Sequence, residues 1–233
     1  MLSQAEFTAR LCAVGAERYH HLHSVHVRMN AGVLNPDQIR AWVANRFCYQ
    51  LAIPVKDAAI ISNCPLQEVR RIWLHRISDH DGLEAGHGGI EAWLRLGEAC
   101  GLTRAELLDQ RHVLPGVRFA VEAYVHFART QPWPVAVASS LTELFAPDLM
   151  SERLAAFQKF YTWVAPSGFD YFRSRLTQAR VDSNEGLALT LTYCDTPELQ
   201  NAALAALRFK CDVLWSMLDA LQFSFEKQGG ECG

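Results

Sequence analysis

Apolar residues recur along this chain at intervals of three and four, the spacing that gathers side chains on one face of an α-helix. The clearest stripes are Ile39, Trp42 and Val43; Val69, Ile72, Trp73 and Ile77; and Ala203, Leu207, Leu214, Met217 and Leu221. No segment shows the strict alternation of apolar and polar residues that is typical of a half-buried strand. The pattern therefore predicts an all-α chain.

Helix-start signals indicate where the predicted helices begin. Ser3, Asn35, Thr103 and Ser167 each stand three residues before Glu, Gln or Asp, and Pro197 follows Thr196 at a first helical position. We predict helices over residues 4–21, 36–62, 66–81, 89–101, 103–111, 116–130, 134–145, 148–160, 168–193 and 197–226. No linker divides the chain, so we predict one compact helical domain over residues 1–226 and a flexible tail over residues 227–233.

The composition limits the class of protein. Half of the 233 residues are hydrophobic and the formal net charge is -3, so no basic surplus suggests a nucleic-acid partner. The seven cysteines are scattered and form no Cys-x-x-Cys pair, a pattern typical of reduced thiols. The chain has neither a basic, apolar leader nor a run of ~20 apolar residues. We therefore expect a cytoplasmic protein that does not associate with membranes.

Four basic side chains continue apolar helix faces, where burial without a partner would be unfavourable. The four are Arg46, Arg76, Arg175 and Lys210. Polar neighbours on or beside the same faces are Gln50, His80 and Tyr171. Either of two ordinary arrangements would explain why any one of these cations stands on an apolar face. It could form an internal ion pair, or its apolar stem could lie along the core edge while its charged end reaches water. Because all four occur in a slightly acidic chain, we expect them to share an anionic ligand.

The histidines raise the question of a metal centre. Glu17-x-x-His20 and Glu84-x-x-His87 match the Glu-x-x-His element of di-iron helical bundles. The two further glutamates that such a centre needs could be Glu122 and Glu143. Against this alternative, Glu84 and His87 stand in a glycine-rich stretch where helical spacing is not assured. A haem bound by His20 is a second metal-dependent alternative.

Several longer motifs resemble the PqqC family of pyrroloquinoline-quinone synthases, in order from about Tyr19 to about residue 222. The motifs are Trp42-Val-Ala-Asn-Arg-Phe47, Tyr49-Gln50, Lys56-Asp-Ala-Ala-Ile60, Asp79-His-Asp-Gly82, Gly88-Gly-Ile-Glu-Ala-Trp-Leu-Arg-Leu-Gly-Glu98, Arg111-His-Val-Leu-Pro-Gly-Val-Arg-Phe-Ala-Val121, Ser139-Ser-Leu-Thr-Glu-Leu-Phe-Ala-Pro147, Tyr171-Phe-Arg-Ser-Arg-Leu176 and Leu214-Trp-Ser-Met-Leu-Asp219. The resemblance implies a haem-oxygenase-like, TenA-related bundle that is usually a homodimer.

The resemblance also implies an activity. Members of this family perform the final step in the biosynthesis of pyrroloquinoline quinone (PQQ). They close the last ring of a bicyclic quinone precursor that carries several carboxylates, and they oxidise it with O2 to PQQ, releasing H2O2. They use no metal and no organic redox cofactor. The partners expected from the resemblance are therefore the small-molecule precursor, O2 and PQQ.

Individual roles follow from the same resemblance. His80 matches a general acid/base at the reacting ring, and Tyr171 and Arg175 match a pair beside the oxygen pocket. Substrate contacts are implied for Tyr19, His20, Arg46, Gln50, Arg76, Tyr124, Glu143, Arg153 and Lys210. Of these, His20 and Lys210 are also candidate catalytic residues. Met150 stands where some members carry a histidine that lines the oxygen pocket, which leaves this position without a proton-delivery role.

Overall fold

The protein is described here over residues 1–230 of a computed structural model, without the side chains at 147, 177, 179–181 and 228–230. Its helices are α1 (Gln4–Arg18), α2 (Ser24–Asn30), α3 (Pro36–Asn63), α4 (Gln67–Asp81), α5 (Gly88–Ala99), α6 (Arg104–Leu108), α7 (Pro115–Thr130), α8 (Trp133–Ser139), α9 (Ala146–Phe160), α10 (Asp170–Tyr193) and α11 (Pro197–Gly230). No strand occurs within residues 1–230. The predicted all-α class is confirmed.

Three of the predicted capping boxes form. The side chains of Ser3, Asn35 and Thr103 each accept a hydrogen bond from the backbone N–H three residues later, and the Glu or Gln side chain at that position accepts one from the backbone N–H of the capping residue. These reciprocal bonds satisfy amide groups that the first turn of a helix leaves without partners. The capping box predicted at Ser167 is wrong. A 3₁₀ segment over Pro166–Phe169 takes up that residue, and α10 begins after it without a side-chain cap.

The histidine-rich stretch departs from the predicted helix over residues 4–21. Helix α1 ends at Arg18 because Tyr19 is extended, and a 3₁₀ turn over His20–Leu22 follows. Helix α2, which the sequence did not reveal, then begins at Ser24, where the side chain of His23 accepts a hydrogen bond from the Val25 amide. Because of this break, Tyr19, His20 and His26 of the stretch line the cavity described below.

The C-terminal helix is longer than predicted. Helix α11 continues through Gly230, past the expected end at residue 226. Residues 231–233 of the predicted tail lie outside the described residues. None of the helices in residues 1–230 combines the length and apolar character that a membrane span requires.

Helix α3 is the central element of the bundle. It contacts α4, α5, α7, α8 and α11, and its predicted stripe of Ile39, Trp42 and Val43 is fully buried. On α4, Val69 and Trp73 are buried as predicted, but Ile72 is 37% exposed. The buried face of α4 instead runs from Val69 and Trp73 to Arg76 and His80. Residue 72 lies about 100° around the helix from residue 73, which places it at the edge of this narrow face.

Candidate active site

A cavity lined by residues of α2, α3, α4, α5, α7, α9, α10 and α11 and of two 3₁₀ segments lies within the bundle. Predicted site residues that line it are Tyr19, His20, Arg46, His80, Tyr124, Glu143, Arg153, Tyr171 and Arg175. The other three, Gln50, Arg76 and Lys210, contact lining residues from behind: Gln50 bonds His80, Arg76 bonds Glu143, and Lys210 bonds Tyr49. Residues from opposite ends of the chain therefore meet in one cluster.

Arg76 and Arg175 are paired with carboxylates of the protein itself. The two terminal nitrogens of Arg76 each lie 2.7 Å from an oxygen of Glu143, and Arg76 Nη1 lies 3.4 Å from Asp182 Oδ1. Arg175 Nη2 donates to Asp182 Oδ2 at 3.1 Å. Internal ion pairs therefore explain the burial of these two cations, and their contact with a shared external anion stays a prediction. Arg76 is only 1% exposed, so its charge requires such partners.

Two of the carboxylates around these arginines, Asp57 and Asp182, are buried, and Glu143 is partly buried. Burial alone would raise the pKa of the Glu143 carboxyl, but the Arg76 guanidinium outweighs burial and lowers that pKa to about 2. Asp57 accepts hydrogen bonds from Lys56 Nζ at 2.6 Å and from Trp73 Nε1 at 2.8 Å. We call the group Lys56, Asp57, Arg76, Glu143, Arg175 and Asp182 the paired network.

Three members of the paired network were not predicted as site residues. Lys56 stands seven residues after Tyr49, two helical turns along the same face of α3, and that spacing is the signal that could have revealed it. Asp182 likewise stands seven residues after Arg175 on α10. Asp57 adjoins Lys56 in the chain, and only the packing of α4 against α3 brings it to Arg76 and Trp73.

Three other cations have no carboxylate partner. Among the described residues, no ion pair involves Arg46, Arg153 or Lys210. Aromatic rings face them instead: Arg46 lies 4.2 Å from the Tyr49 ring centroid and Arg153 lies 4.9 Å from that of Trp42. We call Arg46, Arg153 and Lys210 the unpaired cations. Of these, Arg46 and Arg153 line the cavity and give its wall positive charge that no carboxylate of the described chain balances.

Burial acts strongly on two of the unpaired cations. It lowers the pKa of Arg153 to about 10, and two of its nitrogens, Nε and Nη2, lack a hydrogen-bond partner within the described chain. Burial, together with the charges of Lys56 and Arg46, also lowers the pKa of Lys210 well below its ordinary value. The Lys210 ammonium lies 3.6 Å from the Tyr124 ring centroid and also donates to the Tyr49 hydroxyl. An anion in the cavity would stabilise both charges.

His80 is held in one orientation by Gln50. The Gln50 carbonyl oxygen accepts hydrogen bonds from the Tyr171 hydroxyl at 2.9 Å and from Arg46 at 3.4 Å, so its amide nitrogen is the donor to His80 Nδ1 at 2.8 Å. Burial, reinforced by the Arg175 charge, lowers the pKa of His80 well below its ordinary value. The ring is therefore neutral at neutral pH, and its proton is on Nε2.

Besides His80, a pair of histidines lies on the cavity wall near the unpaired cations. His20 Nδ1 and His26 Nδ1 are 2.9 Å apart, and both rings line the cavity. His26 was not predicted, because its position depends on the unrecognised helix α2. Met150 also lines the cavity and packs against its apolar surroundings.

The residues of the di-iron alternative do not converge. Glu17, Glu84, His87 and Glu122 are exposed, and Glu143 is bound by Arg76. That ligand set is therefore wrong. In the described part of the chain, one group of three possible metal ligands lies close together, formed by His75, Asp79 and Asp182. Asp182 is already paired with Arg175, so this group offers a metal ion little free negative charge.

The fold and the enclosed cavity define a haem-oxygenase-like helical protein. A domain of unknown function from Shewanella denitrificans, described as having a heme oxygenase-like fold, superposes with a TM-score of 0.78 at 11% identity, covering 97% of this chain and 94% of the other. A TenA homolog from Pseudomonas syringae pv. tomato superposes with a TM-score of 0.74 at 15% identity, covering 94% of this chain and 95% of the other. At these identities the likeness shows the fold alone.

The sequence defines the family. Residues 9–220 match the family described as TENA/THI-4/PQQC. A protein of Cronobacter sakazakii named pyrroloquinoline-quinone synthase is 56% identical over 97% of this chain and 89% of its own length. Proteins of the same name from Klebsiella pneumoniae and Pseudomonas syringae pv. tomato are each 55% identical over 97% of this chain, and 90% and 89% of their own lengths are covered. This chain belongs to the TENA/THI-4/PQQC family.

Proposed function

We propose that this protein is an oxidase that catalyses the final step of PQQ biosynthesis. It closes the last ring of a polycarboxylated bicyclic quinone precursor and oxidises it with O2 to PQQ, releasing H2O2. The relatives that share more than half of its residues carry the name of this activity. The observation that carries the proposal is the set of unpaired cations, of which Arg46 and Arg153 line the aromatic cavity wall and Lys210 lies behind it.

Substrate binding uses the charges that the protein leaves without partners. Arg46 and Arg153 bind carboxylates through charge-assisted hydrogen bonds, and a guanidinium can grip both oxygens of one carboxylate. Lys210 adds a compact charge between two tyrosine rings. The flat rings of the precursor fit a wall formed by aromatic side chains. Binding removes the energetic penalty of burying these cations alone.

Proton transfer is the role of His80. Its Nε2 carries the proton of the neutral ring, because Gln50 occupies Nδ1. The neutral ring therefore first donates a hydrogen bond from its Nε2–H to the bound ligand, and it acts as a general acid only after it has taken up a second proton as a base. Positioned acid–base groups typically accelerate such steps by about 10²–10⁴-fold. Arg175 Nη1, which has no hydrogen-bond partner among the described residues, stabilises negative charge that develops on reduced oxygen.

The oxidation proceeds without a resident metal or organic cofactor. The bound intermediate is an electron-rich quinol, which passes its electrons to O2 directly while the protein positions it and transfers protons. We also propose that the protein acts in the cytoplasm as a homodimer. Light scattering of the purified protein tests the oligomeric state, and fractionation of cells that produce it tests the location.

The deciding experiment mixes metal-stripped protein with the precursor in the absence of oxygen and then adds O2. Absorbance follows the bound ring system, and a peroxide assay follows the reduced oxygen. We expect PQQ and H2O2 to form at an undiminished rate. Loss of turnover on chelation, restored by iron, would support a metal-dependent oxidase instead. A protein that binds PQQ but consumes no O2 would be a carrier.

A further inference from the structure

The pair of histidines on the cavity wall has no assigned joint role. His20 belongs to the 3₁₀ turn and His26 to α2, and their ring centroids are 4.7 Å apart. Their Nδ1 atoms are joined by a hydrogen bond of 2.9 Å. His26 is 2% exposed, and its Nε2 has no hydrogen-bond partner among the described residues although the ring lines the cavity. Buried polar atoms normally have a hydrogen-bond partner, so a ligand or water in the adjoining cavity is the candidate partner for this atom.

The Nδ1–Nδ1 contact restricts the protonation of the pair. A hydrogen bond between two imidazole nitrogens needs one protonated and one unprotonated atom. If both rings are neutral, they hold opposite tautomers, with the proton on Nδ1 of one ring and on Nε2 of the other. Burial, and after it the charge of Arg153, lowers the pKa of both histidines well below the ordinary value. Two neutral rings with one shared Nδ1 proton are therefore the stable state.

We propose that His20 and His26 form a two-residue proton relay for the reaction at this cavity, an inference that rests on the proposed function. When the first ring accepts a proton at Nε2, its Nδ1 proton crosses to Nδ1 of the second ring. The second ring then releases its own Nε2 proton into the cavity. One proton enters and one leaves, no electron moves, and both rings are neutral again with exchanged tautomers. Passage in the opposite direction restores the starting state.

The surroundings explain why a pair is needed here. A single neutral histidine that accepts a proton becomes an imidazolium, which in this place would lie in a buried site beside Arg153 and Arg46. The relay moves a proton without accumulating that charge. The reaction supplies both ends of the transfer, since the quinol loses protons as it is oxidised and O2 gains them as it becomes H2O2. His80 cannot act in this way, because its Nδ1 partner is the amide of Gln50.

Two substitutions separate proton transfer from positioning. His26→Gln keeps a side chain that can hydrogen-bond His20 but cannot pass a proton on, whereas His26→Phe removes the bond and fills the space. We expect both to slow the oxidation step about 100-fold, with the KM for the precursor changed less than about threefold, and to lower the solvent isotope effect on kcat. The matched control is His21→Gln, on the same 3₁₀ turn but not on the cavity wall, for which we expect unchanged kcat.

The rate and isotope effect of the His26→Gln enzyme decide between relay and positioning. If both equal the wild-type values, the relay is overturned and His26 is a positioning residue. Nitrogen NMR of the unsubstituted protein gives an answer even where a variant does not fold. It should show two neutral rings of opposite tautomer at pH 7, and an imidazolium or two equal tautomers would contradict the relay. A wild-type protein that makes no PQQ would instead refute the proposed function.

Discussion

Two sets of cations around the cavity meet their surroundings in opposite ways. In the paired network, the cations Lys56, Arg76 and Arg175 meet the carboxylates of Asp57, Glu143 and Asp182. In the second set, Arg46, Arg153 and Lys210 meet aromatic rings, and no carboxylate among the described residues pairs with them. The same residue types therefore serve two purposes. The first set has carboxylate counter-ions within the protein, whereas the second gains a counter-ion when an anion binds.

The difference shows how stability and binding are divided within one core. A buried ion pair adds little to the stability of the folded protein. Removal of one partner, however, leaves the other charge buried in the low-dielectric interior without compensation. An unpaired buried cation already carries that penalty in the free protein, and a ligand that relieves it gains affinity. Substitutions in the two sets should consequently affect different measurements.

The largest expected effect is on folding, in the paired network. Arg76→Met keeps the apolar stem but leaves Glu143 without its bidentate partner, so we expect the free energy of unfolding to fall by about 3–5 kcal/mol. Denaturant unfolding measures it. Arg173→Met is the control, because that arginine pairs with Asp170 while 46% exposed, and exposed pairs contribute at most about 1 kcal/mol. Equal losses in the two variants would contradict the distinction.

A large effect on the reaction is expected at His80, which lies between the two sets. We expect His80→Ala to slow the oxidation step by about 100-fold or more while the dissociation constant for PQQ changes by less than about fivefold, because the unpaired cations still bind the carboxylates. Stopped-flow absorbance after O2 addition separates the effect on the oxidation step from the effect on binding. Unchanged turnover in a folded variant would remove the acid/base assignment.

Substitution of an unpaired cation should chiefly weaken ligand binding. Arg153→Met removes hydrogen bonds to a charged ligand, each contributing about 1.5–3 kcal/mol, so we expect PQQ to bind about 10–100-fold more weakly. Stability should stay the same or rise, because an unpaired buried charge is lost. Calorimetric titration and thermal unfolding measure the two quantities, with the exposed Arg129→Met as control. A variant that loses stability but keeps its affinity would place Arg153 with the paired cations.

The dependence of stability on pH follows from three histidines that line the cavity, His20, His26 and His80. Burial, with nearby cations, lowers the pKa of each in the folded protein, whereas in the unfolded chain each titrates near about 6.5. Below that pH the unfolded state binds more protons, so stability falls with decreasing pH. The slope approaches about 1.4 kcal/mol per pH unit for each histidine. Unfolding at pH 7.5 and 5.5 measures it, and His26→Phe should reduce the slope. A flat profile would mean that these rings are protonated in the folded protein.

The smallest expected effect is at Met150. Met150→Leu conserves volume and should change stability by less than about 1.5 kcal/mol. Because a thioether delivers no proton, we expect kcat to stay within about twofold of wild type. Thermal unfolding and steady-state kinetics check both values, and a tenfold loss of kcat would show that the sulfur contributes to the reaction.

The sequence by itself determined the features that depend on neighbours along the chain. The capping boxes at Ser3, Asn35 and Thr103 and the stripe on α3 were predictable, because each rests on contacts three or four residues apart. The resemblance identified residues that meet in one cavity, although their roles stay predictions. Local patterns also showed that charges would be buried. They did not show what each charge would meet.

Only the tertiary structure decided that question. Arg76 and Glu143 are 67 residues apart in the chain, and their pairing depends on how α4 and the 3₁₀ segment Ser140–Phe145 are both placed against α10. The packing of other elements left Arg153 without a carboxylate and brought His26 to His20. Helical periodicity tells which face of a helix is buried, but the partner of a buried side chain belongs to another helix. The division between paired and unpaired cations is therefore a property of the fold.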